Sequence, residues 1–354
     1  MTIDLSNIEE MVAAGYVTTR KHPDNDLTIY NYTGKAQHER NWNSITRLCR
    51  GLILNAEGRV IARPFEKFFE YTQLEPGQIP NEPFEVYEKL DGSLGILYKY
   101  EGKIAIATRG SFDSVGARKG TEWITFDPSM YSRLLERVPD DVTLLFEMIG
   151  GHRIVLDYGQ QQRLVLLAAI DNATGKDLPL PDIGIERIIR YEGMTTIDEV
   201  LRHPFITNTK YEFLKEGFVV RFNSGLRIKV KNPEYQRLHT LMTGTTSRTI
   251  WERGRSAKYQ ESLLENVPPD FSAWVKGQLK TLKQEYAHHW QKYFSLFDDI
   301  LERRDGESPI RTSADIIPLL KHHPKSRILF RMRDIHEAIW EEIKPEDATF
   351  SDIH

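Results

Sequence analysis

Apolar and polar positions alternate in short runs through the first two thirds of the chain, the period-2 pattern of half-buried strands. "RGLILNAEGRVIARPF", starting at Arg50, predicts a hairpin that turns at residues 55–58 and ends at Pro64. "SLGILYKYEGKIAIATRG" repeats the pattern around Glu101 and Gly102, and "EGFVVRFNSGLRIKVKN" predicts a third hairpin with Asn223, Ser224 and Gly225 as its turn. "VTLLFEMIG", "HRIVLDYG" and "QRLVLLAAID" read as three further strands. Short helices are expected near 129–138, 183–190 and 196–203. Hairpins outnumber any βαβ unit, so the expected class is α+β with antiparallel sheets.

The period changes after Pro233. Phe271, Trp274, Val275, Leu279, Leu282, Tyr286, Trp290, Tyr293 and Phe297 recur at steps of three or four, one apolar helical stripe. Helices are also expected near 313–322 and 326–343. The pattern predicts two domains, residues 1–240 and an all-helical 241–354, with no internal repeat.

Composition narrows the class only a little. The 354 residues suffice for two cores, and 40% hydrophobic with 28% charged is globular. The longest apolar run, "LVLLAAI" at 164–170, is far short of the ~20 residues of a membrane helix. The first residues lack a basic stretch followed by an apolar one, so no secretory signal is expected. Cys49 is the sole cysteine, which excludes an intrachain disulfide and suits a reducing cytoplasm. Net charge is −4, which excludes a protein that coats nucleic acid in bulk.

The candidate chemistry starts at "EKLDGSLG", residues 88–95. Lys89 at a strand mouth before the Asp91-Gly92 turn is, alone, an ordinary hairpin-entry lysine. Downstream, Glu147 interrupts the apolar strand "LLFEMIG", where a carboxylate without a partner is costly. Glu216 opens "EGFVV", and Lys229 and Lys231 alternate onto one face of "RIKVKN". A lysine nucleophile, two acids and two lysines on strands lining one cleft would suit phosphoryl transfer, with the acids holding magnesium through water.

In that order the motifs resemble the covalent nucleotidyltransferases, most closely the phage-type RNA ligase 1 family. "KLDGS" is similar to the nucleotide-attachment motif, "FEMIG", "EGFVV" and "KVK" to the third, fourth and fifth, and "CRGLIL" and "RPFEKFF" to the N-terminal signature. The resemblance spans about residues 25–240. It implies a nucleotidyltransferase (ATP-grasp-like ligase) domain of antiparallel sheets followed by a small all-α domain. It further implies that Lys89 carries AMP from ATP and that Tyr32, Arg50 and Lys67 contact ATP. Phe69 and Val219 would sandwich adenine, Glu147 would bind the ribose, and Glu88 would border the nucleotide. Lys229 and Lys231 would neutralise phosphate, lowering the Lys89 pKa together with Mg²⁺ or Mn²⁺. Asp91 and Glu216 would orient metal-bound waters, and Tyr235 occupies a position the family uses. The implied substrate is broken or nicked single-stranded RNA with 5′-phosphate and 3′-hydroxyl ends, tRNA being a candidate.

Two alternatives stand beside an RNA ligase. A DNA ligase or capping-type enzyme would append a strand-rich OB-fold, which nothing after "KVKN" resembles; an inactive nucleotide- or RNA-binding relative would keep the fold without the transfer. No GxxxxGK(S/T) run occurs, so no polynucleotide-kinase segment is expected. Basic clusters at 247–258 and 321–333 predict an RNA-facing surface on the helical domain. "HHW" and "KHH" are read as surface or RNA-facing histidines rather than a zinc site.

Overall fold

The computed structural model describes residues 3–150, 155–159, 162–302 and 332–352. Three sheets carry the N-terminal region, and their order explains how distant motifs meet. In chain order the first four strands are β1 (Val17–Lys21), β2 (Leu27–Tyr32), β3 (Arg50–Asn55) and β4 (Val60–Ala62), an antiparallel sheet in that order. They are followed by β5 (Phe69–Glu70), β6 (Phe84–Lys89), β7 (Ser93–Tyr100) and β8 (Lys103–Ala107). The remaining strands are β9 (Val142–Ile149), β10 (Arg163–Asp171), β11 (Asp177–Leu178), β12 (Arg190–Tyr191), β13 (Gly217–Phe222) and β14 (Arg227–Lys231). The second sheet runs β11-β10-β9-β7-β8 and the third β12-β6-β13-β14-β5. All pairings are antiparallel except β5 with β14.

The alternation read from the sequence is what buries these sheets. Ile29, Ile53 and Ala62 of the first sheet pack on Ile96, Leu145 and Ala168 of the second. The other face of the second sheet, with Ile106, Leu144 and Phe146, is covered by Ile124 and Leu134 from helices Val115–Phe126 and Pro128–Arg137. In the third sheet Phe218, Val220, Ile228 and Val230 are buried, while Val219, Lys229 and Lys231 on the opposite face are partly exposed. The predicted hairpins therefore form with the predicted facing.

Three local expectations are corrected. Residues 183–190 form no helix: Ile183 and Ile188 are buried in two different cores, which pulls the segment out extended, with Arg187 bridging Leu166. "HRIVLDYG" forms no strand over its described part, residues 155–159, because the Val155 and Leu156 amides donate to Asp91. Helix Val115–Phe126 was not expected, since its glycines and β-branched residues are poor helix formers. Gly120 is what lets it lie close on the sheet, as a Cβ there would come within 2.7 Å of Met148 Sδ.

The chain divides into two units, Met1–Arg237 and Leu238–His354. Among its described residues the second unit has helices, including Ser247–Arg253, Ala257–Leu264, Pro269–Glu302 and Met332–Glu342, and no named strand. Phe271, Trp274, Val275, Leu279, Leu282 and Tyr293 of the predicted stripe are buried. The helix expected at 313–322 lies outside the described residues. No described helix is long and apolar enough to cross a membrane.

Gly217 has φ +139°, and a Cβ there would stand 2.1 Å from the Val230 carbonyl oxygen. Gly217→Ala should therefore cost ~2 kcal/mol or more of unfolding free energy in urea titration. Gly193→Ala, at φ +86° with nothing within 4 Å, should cost only about 1 kcal/mol.

Candidate active site

The strand register brings the two ends of the motif set together. Gly217 pairs with Lys89 on one side and with Lys231 on the other, so both lysines flank the start of β13. Glu216, 3% exposed, precedes Gly217, and its Oε1 lies 2.8 Å from Lys89 Nζ and 3.1 Å from Lys231 Nζ. One buried carboxylate is shared by two ammonium groups. These strands border a cavity of about 540 Å³, lined among others by Arg50, Phe68, Lys89, Glu147, Val219, Lys229 and Lys231.

The Lys89 amine does not follow the expected direction. Burial works against its charge, but Glu216 and Glu147, with the Glu216 hydrogen bond, outweigh it and raise the pKa. Its neighbour Lys229 is the depressed group, pushed down to about 7 by burial and by Arg50, Lys67, Lys89 and Lys231. The difference is the partner: Glu216 faces Lys89, whereas Lys229 lies 4.8 Å over the Phe68 ring.

Glu147 reaches the cavity from β9. Burial pushes its carboxyl up to about 7, against the pull of Lys89, and its Oε1 accepts the Gly92 amide at 3.0 Å. Gly92 permits that approach, since a Cβ there would meet the Met148 carbonyl at 2.6 Å. Asp91 is differently occupied. Its Oδ2 accepts the Val155 and Leu156 amides at 2.9 Å each, and its Oδ1 accepts Tyr235 Oη–H at 2.6 Å. It does not line the cavity, and its carboxylate fixes the turn after Lys89 rather than facing a site for metal-bound water.

The N-terminal signature divides likewise. Arg50 lines the cavity, and its Nη1 is buried with no hydrogen-bond partner. Burial chiefly disfavours its charge. Lys67 lies 5.6, 5.1 and 5.3 Å from the ring centres of Tyr32, Trp42 and Phe69, and its pKa is lowered by burial, then by Arg50 and Arg109. Tyr32, Lys67 and Phe69 are not among the lining residues. Neighbouring residues of extended chain point to opposite sides, so Phe68, just before β5, and not Phe69 lines the cavity, as Val219 does. Glu88 borders the cavity, but its carboxylate is taken by Lys215 at 2.9 Å and Tyr191 at 3.2 Å.

Arg227, Arg221, Tyr87 and Arg109 are among the lining residues that sequence reasoning missed. Arg227 shares the face of Lys229 and Lys231, and Arg221 that of Val219, so alternation alone could have found both. Tyr87 sits two residues before Lys89 on the same strand face. Arg109, just past β8, donates to Tyr32 Oη at 3.1 Å, and no periodic signal announces it.

Among the described residues no group of three or more His, Cys, Asp or Glu could hold a metal ion. A hydrated magnesium ion needs less, one or two carboxylates plus substrate phosphate; Glu147, which lines the cavity, fits that demand, and Glu216 would join it only once released from Lys89 and Lys231. His289 is engaged by Glu342 at 2.9 Å, and the 321–323 histidines lie outside the described residues.

A model of the RNA ligase family matches residues 48–235, more than half of the chain and nearly all of this site. The chain belongs to the RNA ligase family. This family member is 29% identical over 247 residues to a putative bifunctional polynucleotide kinase/RNA ligase of Autographa californica nuclear polyhedrosis virus, covering 63% of the chain and 35% of the relative. It is 26% identical over 231 residues to a putative RNA ligase of Thermovibrio ammonificans, covering 62% and 60%. The matches thus span about a third and three fifths of those relatives. A solved archaeal ATP-dependent RNA ligase is 15% identical over 80% of each chain, with a TM-score of 0.48.

The depressed Lys229 gives a pH signature. Only its protonated form attracts phosphate, so affinity for a polyphosphate should be highest below pH 7 and fall as pH rises through about 7. Lys229→Arg, charged throughout, should flatten that limb between pH 7 and 9 in calorimetric titration with pyrophosphate. A parallel fall in both proteins would assign the limb to another group.

Proposed function

We propose that this chain is an ATP-dependent RNA ligase, joining RNA 5′-phosphate and 3′-hydroxyl ends through lysyl-AMP and adenylylated RNA, in repair of broken RNA including tRNA. The observation that carries the reading is Lys89 at the edge of a cavity rich in cations, with Arg50, Arg109 and Lys229 lacking any carboxylate partner among the described residues. Such surplus positive charge suits a triphosphate.

In the first step the Lys89 Nζ–P bond forms at the α-phosphorus as the bond to pyrophosphate breaks, the leaving group taking the electron pair. Lys89 is held as ammonium by Glu216, so its proton must leave first. Glu216, in direct contact, is placed to take it. Lys229, Lys231 and Arg50 would meet the phosphate oxygens, and Glu147 and Glu216 would hold hydrated Mg²⁺ or Mn²⁺. A bound divalent ion supplies charge neutralisation of the phosphates. In the second step a 5′-phosphate oxygen displaces Lys89 from AMP, and in the third a 3′-hydroxyl oxygen displaces AMP. All three are in-line displacements that depend on positioning and electrostatics.

The helical second unit favours this reading over a DNA ligase or capping enzyme with an OB-fold. Incubation with ATP radiolabelled at the α-phosphate should give acid-labile, alkali-stable label on the protein, none with GTP, and at least a hundredfold less with Lys89→Ala. Label persisting in Lys89→Ala would overturn the assignment, and its absence from the wild type would favour an inactive relative. Lys231→Ala should lose self-adenylylation more than sealing of pre-adenylylated RNA, measured as two separate rates.

A further inference from the structure

The helical unit holds its own cavity, about 440 Å³, lined by Leu279, Leu282, Lys283, Tyr286, His336 and Trp340 together with Arg255. Its rings do not pack like a core. The Tyr286 and His336 rings lie 9° from parallel with centres 6.0 Å apart, and Trp290 stacks on His336 at 4.7 Å and 22°. Tyr286 and Trp290 are themselves 14° from parallel, one helical turn apart, and Phe294, 53% exposed, follows at a 38° tilt to Trp290. By contrast Phe271 and Phe350, 0% and 1% exposed, meet edge to face as interior rings do.

The charges around this row have distinct tasks. Arg255 lies 4.7 Å over Trp340 and is fixed by two hydrogen bonds to Glu337 at 2.9 and 3.0 Å. The basic cluster expected at 247–258 is thus largely engaged, Arg253 lying over Tyr259 at 4.2 Å. Lys283 lines the cavity and makes no ion pair among the described residues. The cluster expected at 321–333 lies outside the described side chains.

Parallel, partly exposed rings beside an unengaged ammonium suit a planar base carrying a phosphate better than an aliphatic peptide side chain, for which only two leucines are offered. We propose that Tyr286, Trp290 and His336 form a stacking site for bases of single-stranded RNA, with Lys283 meeting the backbone phosphate. The inference rests on the RNA ligase reading and assigns the helical unit a share in holding that substrate.

The test is fluorescence anisotropy of the full-length protein with a fluorescein-labelled, unstructured RNA of about a dozen nucleotides. Trp290→Leu and Tyr286→Leu should each weaken binding roughly tenfold, while Trp290→Phe, which keeps a ring, should recover most of it. Lys283→Ala should lower the slope of log affinity against log salt by about one. Circular dichroism identifies any variant that fails to fold, and Lys283→Ala, at an exposed position, then carries the test. Wild-type affinity and salt slope in the folded variants, or equal weakening by Trp290→Phe and Trp290→Leu, would overturn the proposal. A wild type that forms lysyl-AMP yet binds no RNA would overturn it too, leaving the nucleotidyl-transfer reading intact. Failure to form lysyl-AMP would instead overturn that reading.

Discussion

A single buried carboxylate organises the site. Glu216 neutralises Lys89 and Lys231 at once, and without it two ammonium groups would face each other across β13. Buried charge is tolerated only when paired and hydrogen-bonded, and this arrangement satisfies three charges with two short contacts. It is possible because Gly217 lets β13 run against the Val230 carbonyl, where any side chain would collide. The same contact sets the chemistry. Glu216 keeps Lys89 protonated, so in the proposed reaction the attacking amine would be stored in its inactive form until that pair rearranges.

The other three residues of the Lys-Leu-Asp-Gly turn have complementary tasks. Asp91 gathers two backbone amides and the Tyr235 hydroxyl, fixing the turn to residues 155–156 and to the start of helix Pro233–Gly244. Gly92 brings its amide onto Glu147. Leu90 packs with Ile149, Val165 and Ile188 between the second and third sheets. The tetrapeptide therefore ties both sheets and the downstream helix to one amine. That is why spacing within it matters more than composition.

The sheets were legible because half-buried strands write their facing directly into the sequence. "RIKVKN" placed Lys229 and Lys231 on one face, and the hairpin turns fixed the register. Where a pattern has no unique phase, the reading failed. Two consecutive phenylalanines, 68 and 69, offer no way to decide which ring faces the cavity. Asp91 and Glu88 looked like site carboxylates because a sequence cannot reveal that backbone amides, or Lys215 from far along the chain, already engage them. Arg109 and the segment 183–190 depend on tertiary neighbours alone. In the helical unit the period located the stripe but could not separate interior Phe271 from partly exposed Trp290.

Charge matching around the cavity separates paired cations from unmatched ones. Lys89 and Lys231 share Glu216, while Arg221 and Arg227 are matched by Glu85 and Asp177. Arg50, Arg109 and Lys229 have no carboxylate partner among the described residues. Identical chemistry on neighbouring strands thus gives opposite results, with Lys89 held up and Lys229 pushed down to about 7. An unmatched buried cation costs free energy that only an incoming anion can offset. A polyphosphate entering the cavity would offset that cost at the unmatched cations. In the proposed reaction, phosphate drawn to Lys229 and Arg50 would also compete with Glu216 for Lys231, loosening the shared carboxylate. Substrate charge itself would thereby begin the rearrangement that frees Lys89.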